Sequence, residues 1–261
     1  MATQPPPQLP LFYKNLVPLQ TGPHANFRQQ LSDKAPFFAQ THAVPLTIDE
    51  FVIAQRNYPI IFSAGENSVP LALFGLNEGV NVFVQEDGSV DRELYVPAYV
   101  RRYPFLLARL QPDAQELSLC FDPDSNLVAE GGDGPALFDG EKPSEATNAI
   151  LKFCEEFEMS AQRTGAFMKE LQDMDLIMDG EVSIQTPNSQ TPYVYRGFRM
   201  INEEKFRALD AETLHKIHGN GILQLLTAHL FSMSHMPNVF ARQLDQGKVP
   251  QPEQGVTFGN A

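Results

Sequence analysis

Three short apolar runs follow one another at about ten-residue spacing: Ile60-Ile61-Phe62, Leu71-Ala72-Leu73-Phe74 and Val80-Asn81-Val82-Phe83-Val84. The segments between and after them carry Gly65-Glu66-Asn67, Asn77-Glu78-Gly79 and Asp87-Gly88. Short runs that reverse at Gly and Asn leave no room for crossover helices, so the pattern predicts an antiparallel meander. Phe105-Leu106-Leu107-Ala108 and Leu117-Ser118-Leu119-Cys120-Phe121, joined through Gln111-Pro112-Asp113, read as two further strands. Five such strands can close into a small barrel or remain a twisted sheet.

Helical signals lie on both sides of these strands. Thr47 with Glu50 three residues later is a capping box, which predicts a short helix over 48–56 with Phe51, Val52 and Ala54 turned inward. Residues 122–143 carry four Asp and little periodic apolar content, and read as an exposed loop. Over 144–178, Ile150, Phe153, Cys154, Phe157, Ala161, Met168, Leu171 and Met178 form one apolar stripe, with Gly165 as a potential break. A strand pair, 182–184 and 193–195, follows across a Pro187-Asn188-Ser189 turn. Asn202 and Asp210 are placed to cap helices, and Gly219-Asn220-Gly221 to stop the second. A largely buried helix is expected over 222–236, ended by Pro237, with a last turn or two over 239–244.

The fold class is therefore α+β: an antiparallel meander or small barrel packed with helices, and a helical C-terminal region. The expected layout is a flexible Pro- and Gln-rich arm over 1–10, one domain over 11–245 and a flexible polar tail over 246–261. At 261 residues the chain can bury a substantial core, to which nineteen Phe contribute.

Charge narrows the partners. Nineteen basic residues against 32 acidic ones give a formal charge of −13, which disfavours nucleic acid and anionic membrane surfaces. The longest apolar stretch, 222–236, is interrupted by Gln224, His229, Ser232 and His235, so no membrane insertion is expected. Residues 1–10 lack the basic and apolar regions of a secretory signal. Cys120 and Cys154 form neither a disulfide framework nor a CxxC motif, and read as buried thiols. Together these features place the protein in the cytoplasm, with signal-free export as the other route.

The densest chemistry lies in Tyr95-Val96-Pro97-Ala98-Tyr99-Val100-Arg101-Arg102-Tyr103-Pro104-Phe105-Leu106, which holds three of the seven tyrosines. On a strand the two arginines would point to opposite faces; on a helical turn opened by Pro97 they would lie about 100° apart. A guanidinium near apolar surface needs a carboxylate, a carbonyl or a bound anion. Tyr99, Arg101, Arg102 and Tyr103 thus either pair within the protein or form a ligand-binding surface. His229, between Ala228 and Leu230, is a buried core histidine or a further binding residue.

No catalytic set or cofactor signature is visible, and no metal is assigned. His215 and His218 share a helix face but lack a third ligand at a recognised spacing. Asp122, Asp124, Asp133 and Asp139 lack the alternation and terminal Glu of a calcium loop.

Several strings resemble the SapC family, a bacterial group of about this length. They are Tyr58-Pro59-Ile60-Ile61-Phe62, Pro97-Ala98-Tyr99-Val100-Arg101-Arg102-Tyr103-Pro104-Phe105, Asn202-Glu203-Glu204-Lys205, and Ala228-His229-Leu230 with Ser232. The resemblance runs over about 11–245 and implies an association with surface-layer loci and an accessory or binding role. It carries over no catalytic residue. The reading is a non-enzymatic accessory protein that recognises a peptide, a protein segment or a small acidic ligand through its Tyr/Arg surface. The alternatives are an enzyme, with or without a metal, of peptide or small-molecule modification, and a surface-layer component.

Overall fold

A computed structural model describes residues 9–111, 116–186, 191–249 and 256–257. The arm expected over 1–10 and the tail over 246–261 lie mostly outside these residues, as do the turns expected at Gln111-Pro112-Asp113, apart from Gln111, and at Pro187-Asn188-Ser189. The chain divides into two units: Met1–Asp33 with Val100–Glu158, and Lys34–Tyr99 with Met159–Ala261.

In the first unit, Phe105–Ala108 pairs antiparallel with Ser118–Phe121, whose other edge takes Val17–Pro18. The segment expected to be a loop contains short strands, because its ladder partners are remote in sequence or short. Val128–Glu130 pairs with Phe27–Gln29, and Phe138–Asp139 with Lys142–Pro143. Phe105, Phe121, Val128, Leu137, Phe138 and Cys154 close the core of this unit. Burial pushes the Cys154 thiol up to about 11 and raises Cys120 as well, so both remain protonated.

In the second unit five of the described strands pair antiparallel in the order Ile177–Ile184, Tyr193–Ile201, Ile60–Ser63, Pro70–Leu73, Ala43–Pro45. The strand runs near 60 and near 105 therefore belong to different sheets. The third run, 80–84, is not a strand. The buried amide of Asn81 takes the place of a ladder partner: its Oδ1 accepts from Phe83 N (2.9 Å) and Val84 N (3.2 Å), and its Nδ2 donates to the Phe38 and Thr41 carbonyls. Phe38, Tyr58, Phe74 and Phe83 pack edge-on or tilted beside it, with ring centroids 4.7–6.5 Å apart.

The capping box at Thr47 and Glu50 forms, followed by a turn of 3-10 helix and the helix Phe51–Ala54. Phe51 and Ala54 are buried, but Val52 faces out, because a single helical turn has only one inner side. The helix Glu145–Asp173 runs without a break at Gly165; Asp175, in the left-handed region, helps turn the chain, and Met178 starts outward along a strand. Asn202 and Asp210 cap their helices by accepting from Lys205 N and Thr213 N. Ile222–Ser232 is followed directly by a 3-10 turn and the helix Met236–Asp245. Pro237 thus opens a helix instead of ending one, in the first turn, where a missing N–H costs nothing.

Candidate functional site

The Arg-Arg segment begins at a fixed point. Glu50 is buried, and its carboxylate accepts from Thr47 N and Thr47 Oγ1 at 3.0 and 2.8 Å. It also accepts from Tyr95 Oη at 3.0 Å and Ala98 N at 2.6 Å. One carboxylate so serves the first turns of two helices, where it meets the positive ends of both backbones. Tyr58 Oη adds a bond to the Tyr95 carbonyl, and Asn57 Oδ1 accepts from Tyr95 N.

Ala98–Arg101 is helical, so the helical-turn alternative holds and successive side chains diverge by about 100°. Tyr99 belongs to the second unit and is buried. Arg101 ends the turn exposed to solvent, its guanidinium carbon 5.1 Å from the centroid of the Phe153 ring. Arg102 is buried: its guanidinium lies 4.2 Å above the Phe157 ring, and Nη1 donates to Glu158 Oε1 at 3.3 Å. Phe153 and Phe157 are four apart on the helix Glu145–Asp173, so one apolar stripe offers two stacked platforms to two adjacent cations. The stripe alone reads as core; its match to the spacing of an Arg pair was the available signal.

Tyr103 closes the first unit from inside. Its hydroxyl donates to Asp122 Oδ2 at 3.3 Å, and its ring packs edge-on against Tyr13 at 5.2 Å. Burial, reinforced by the Asp122 charge, pushes the Tyr103 hydroxyl well above the ordinary tyrosine range, so it stays protonated. Asp122 also accepts from Lys14 N at 2.8 Å and Asp124 N at 3.0 Å. The buried aspartate of the acidic segment is therefore engaged by the protein's own donors.

His229 is fully buried in the second unit. Its ring stacks on Phe62 at 4.7 Å and 15°, and Nε2 accepts from Ile201 N at 3.1 Å. Burial lowers its pKa to about 3, against a smaller upward pull from the Ile60 backbone. Ser232 Oγ accepts from Ile60 N at 2.9 Å and donates to the His229 carbonyl at 2.6 Å. His229 and Ser232 thus fasten their helix to two neighbouring strands.

His215 and His218 are exposed, and among the described residues no group of three or more His, Cys, Asp or Glu is placed to hold a metal ion. No described helix is long and apolar enough to cross a membrane.

Sequence reasoning did not single out a hollow of about 430 Å³ in the second unit, lined among others by Arg56, Asp91, Glu93, His235, Asn238 and Arg242. Arg242 lies 4.6 Å over the Phe83 ring with Nη1 3.4 Å from Asp91 Oδ2, and His235 Nε2 is 3.1 Å from the Gln55 carbonyl. Its residues come from segments far apart in sequence, so no local pattern announces it.

The fold and this arrangement define an α+β protein with a partly exposed cation–aromatic surface. The SapC family model matches residues 19–239, and the chain belongs to the SapC family. No curated protein and no solved structure matches the chain.

Proposed function

We propose that this SapC-family protein is a non-enzymatic accessory protein that binds a peptide, a protein segment or a small acidic ligand, with Arg101 as the residue that meets it. The observation that supports this reading is the unequal treatment of two neighbouring arginines. Arg102 is sealed over Phe157 with Glu158, whereas Arg101 presents its guanidinium to solvent while resting on Phe153. A guanidinium seated on a ring loses less freedom on binding, and its planar fork of donors matches the two oxygens of a carboxylate. Tyr99, Arg102, Tyr103 and His229 act from the interior, as supports for the segment and for the units that carry it.

Binding of carboxylate-bearing peptides and their amide counterparts, measured by fluorescence anisotropy, tests this. Arg101→Ala should abolish the preference for the carboxylate form and Arg101→Lys should retain part of it, with the melting temperature nearly unchanged in both. Equal carboxylate preference in Arg101→Ala and the parent protein would refute the role of Arg101.

A second reading is favoured by the mixed charge of the hollow beside Arg242. Cations and carboxylates facing one concave space suit a zwitterionic group such as a peptide end. Under that reading Arg56→Ala, and not Arg101→Ala, removes binding.

A further inference from the structure

We infer that a hollow beside Arg28, within the first unit, is a binding site for a small organic monocarboxylate with an apolar body. The site is separate from the Arg101 surface and does not depend on it.

Arg28 has a backbone partner on each side. Phe27–Gln29 pairs with Val128–Glu130, which sets Arg28 opposite Ala129. Along the other edge Arg28 bridges to Ala136, with Gln29 N donating to the Pro135 carbonyl and Leu137 N to the Phe27 carbonyl, both at 3.0 Å. Residues directly opposite one another share a face, so the two cross-strand neighbours of the Arg28 side chain are methyl groups. Their shortness leaves room over the strands. A hollow of about 580 Å³ lies there, lined among others by Asn26, Arg28, Glu130, Ala136 and Phe138.

The observation that carries the inference is a missing counter-charge. Among the arginines, Arg28, Arg102 and Arg199 are the ones withdrawn from full exposure. Arg102 faces Glu158 at 3.3 Å and Arg199 faces Asp179 at 3.8 Å. Arg28 forms no ion pair among the described residues; its Nη1 donates to the Gly134 carbonyl at 2.7 Å. Only glycine allows that contact, because a Cβ at Gly134 would lie 1.6 Å from the Gln29 carbonyl oxygen and push the segment off the strand. One neutral carbonyl occupies one donor and balances none of the charge. A half-buried guanidinium with the rest of its fork open calls for an anion.

The rest of the lining narrows the anion. Glu130 is exposed and lines the same hollow, so a second negative charge on the ligand would meet a like charge. This favours a single carboxylate over phosphate. Phe138 and Ala136 supply an apolar wall for the body of the ligand. The Asn26 side chain makes no hydrogen bond among the described residues, and its amide adds a neutral donor and acceptor. Apolar walls with a few convergent polar groups are the usual make-up of a small-molecule site.

The test is an NMR titration of the full chain, read at the backbone amides, with benzoate as the probe and benzamide and inorganic phosphate beside it. Benzoate should bind saturably with a Kd below about 10 mM, and the other two about tenfold or more weakly. In the parent chain the shifts should centre on residues 26–28 and 131–138, a readout that needs no variant to fold. Arg28→Gln should weaken benzoate binding about tenfold or more, and Ala136→Leu, which fills the hollow, should abolish it. Arg101→Ala should leave it unchanged. Shifts centred elsewhere, no saturable binding, phosphate bound as tightly as benzoate, or equal affinity in the parent chain and a folded Arg28→Gln variant would each overturn the inference. Loss of benzoate binding in Arg101→Ala alone would overturn it too, since the probe would then belong to the Arg101 surface.

Discussion

Arg101 and Arg102 are neighbours in sequence with opposite fates, and substitution should separate them. Arg102→Ala removes a buried cation from Glu158 and Phe157, leaving a partly exposed carboxylate and an uncovered ring. A loss of about 1–3 kcal/mol is expected, at the low end for a buried pair because Glu158 is 36% exposed. Denaturant titration reads it, and a loss below about 0.5 kcal/mol would contradict the interior role. Arg101→Ala should change stability by no more than about 0.5 kcal/mol, as an exposed substitution does. The sequence could identify the pair as the densest chemistry but could not say which member is buried, because Phe153, Phe157 and Glu158 lie more than fifty residues downstream.

His229 sets a pH dependence of stability. The fold holds it neutral, with a pKa of about 3 against an ordinary value of 6.5. As pH falls below 6.5 the unfolded chain takes up the proton first, so the contribution is full above 6.5 and declines toward 3. His24 and His42, also lowered by burial, act in the same direction. Thermal melts should therefore show a falling melting temperature between pH 6.5 and 4. His229→Leu, which strands Ile201 N, should be less stable at pH 7 but show a shallower decline. An equally steep decline in that variant would rule out His229 as a main source.

At the scale of elements, local rules were legible where local groups decide. The capping box, both Asn202 and Asp210 caps, the apolar stripe of Glu145–Asp173 and the strands near 60, 71, 105 and 118 are all written in nearby residues. Gly165 shows the limit of punctuation: a Cβ there would meet nothing within 4 Å, and helix continues on both sides. Gly165→Ala should thus stabilise by about 0.5–1 kcal/mol, readable in a chemical melt, and a destabilisation would mean the helix is broken there. Gly180→Ala should do the opposite, because its Cβ would lie 2.2 Å from the Phe198 ring. The run 80–84 failed as a strand for a reason no periodicity contains, since the Asn81 amide captures the backbone groups a neighbour would need. Val128–Glu130 and the hollow beside Arg242 were hidden because their parts meet only after folding.

At the scale of the molecule, membership of the SapC family spans residues 19–239 and both units. Against a charge of −13, the exposed Arg101 guanidinium on its aromatic ring serves selectivity more than attraction at a distance. One cation implies a shallow dependence of ligand binding on salt, unlike the steep slope of a polycationic surface. The most direct measurement is an NMR titration of the arginine Nε–Hε signals with a carboxylate-bearing peptide. The Arg101 signal should move saturably, and that of Arg102, sealed over Phe157, should stay in place. Saturable peptide binding that leaves the Arg101 signal unmoved would contradict the assignment of this surface.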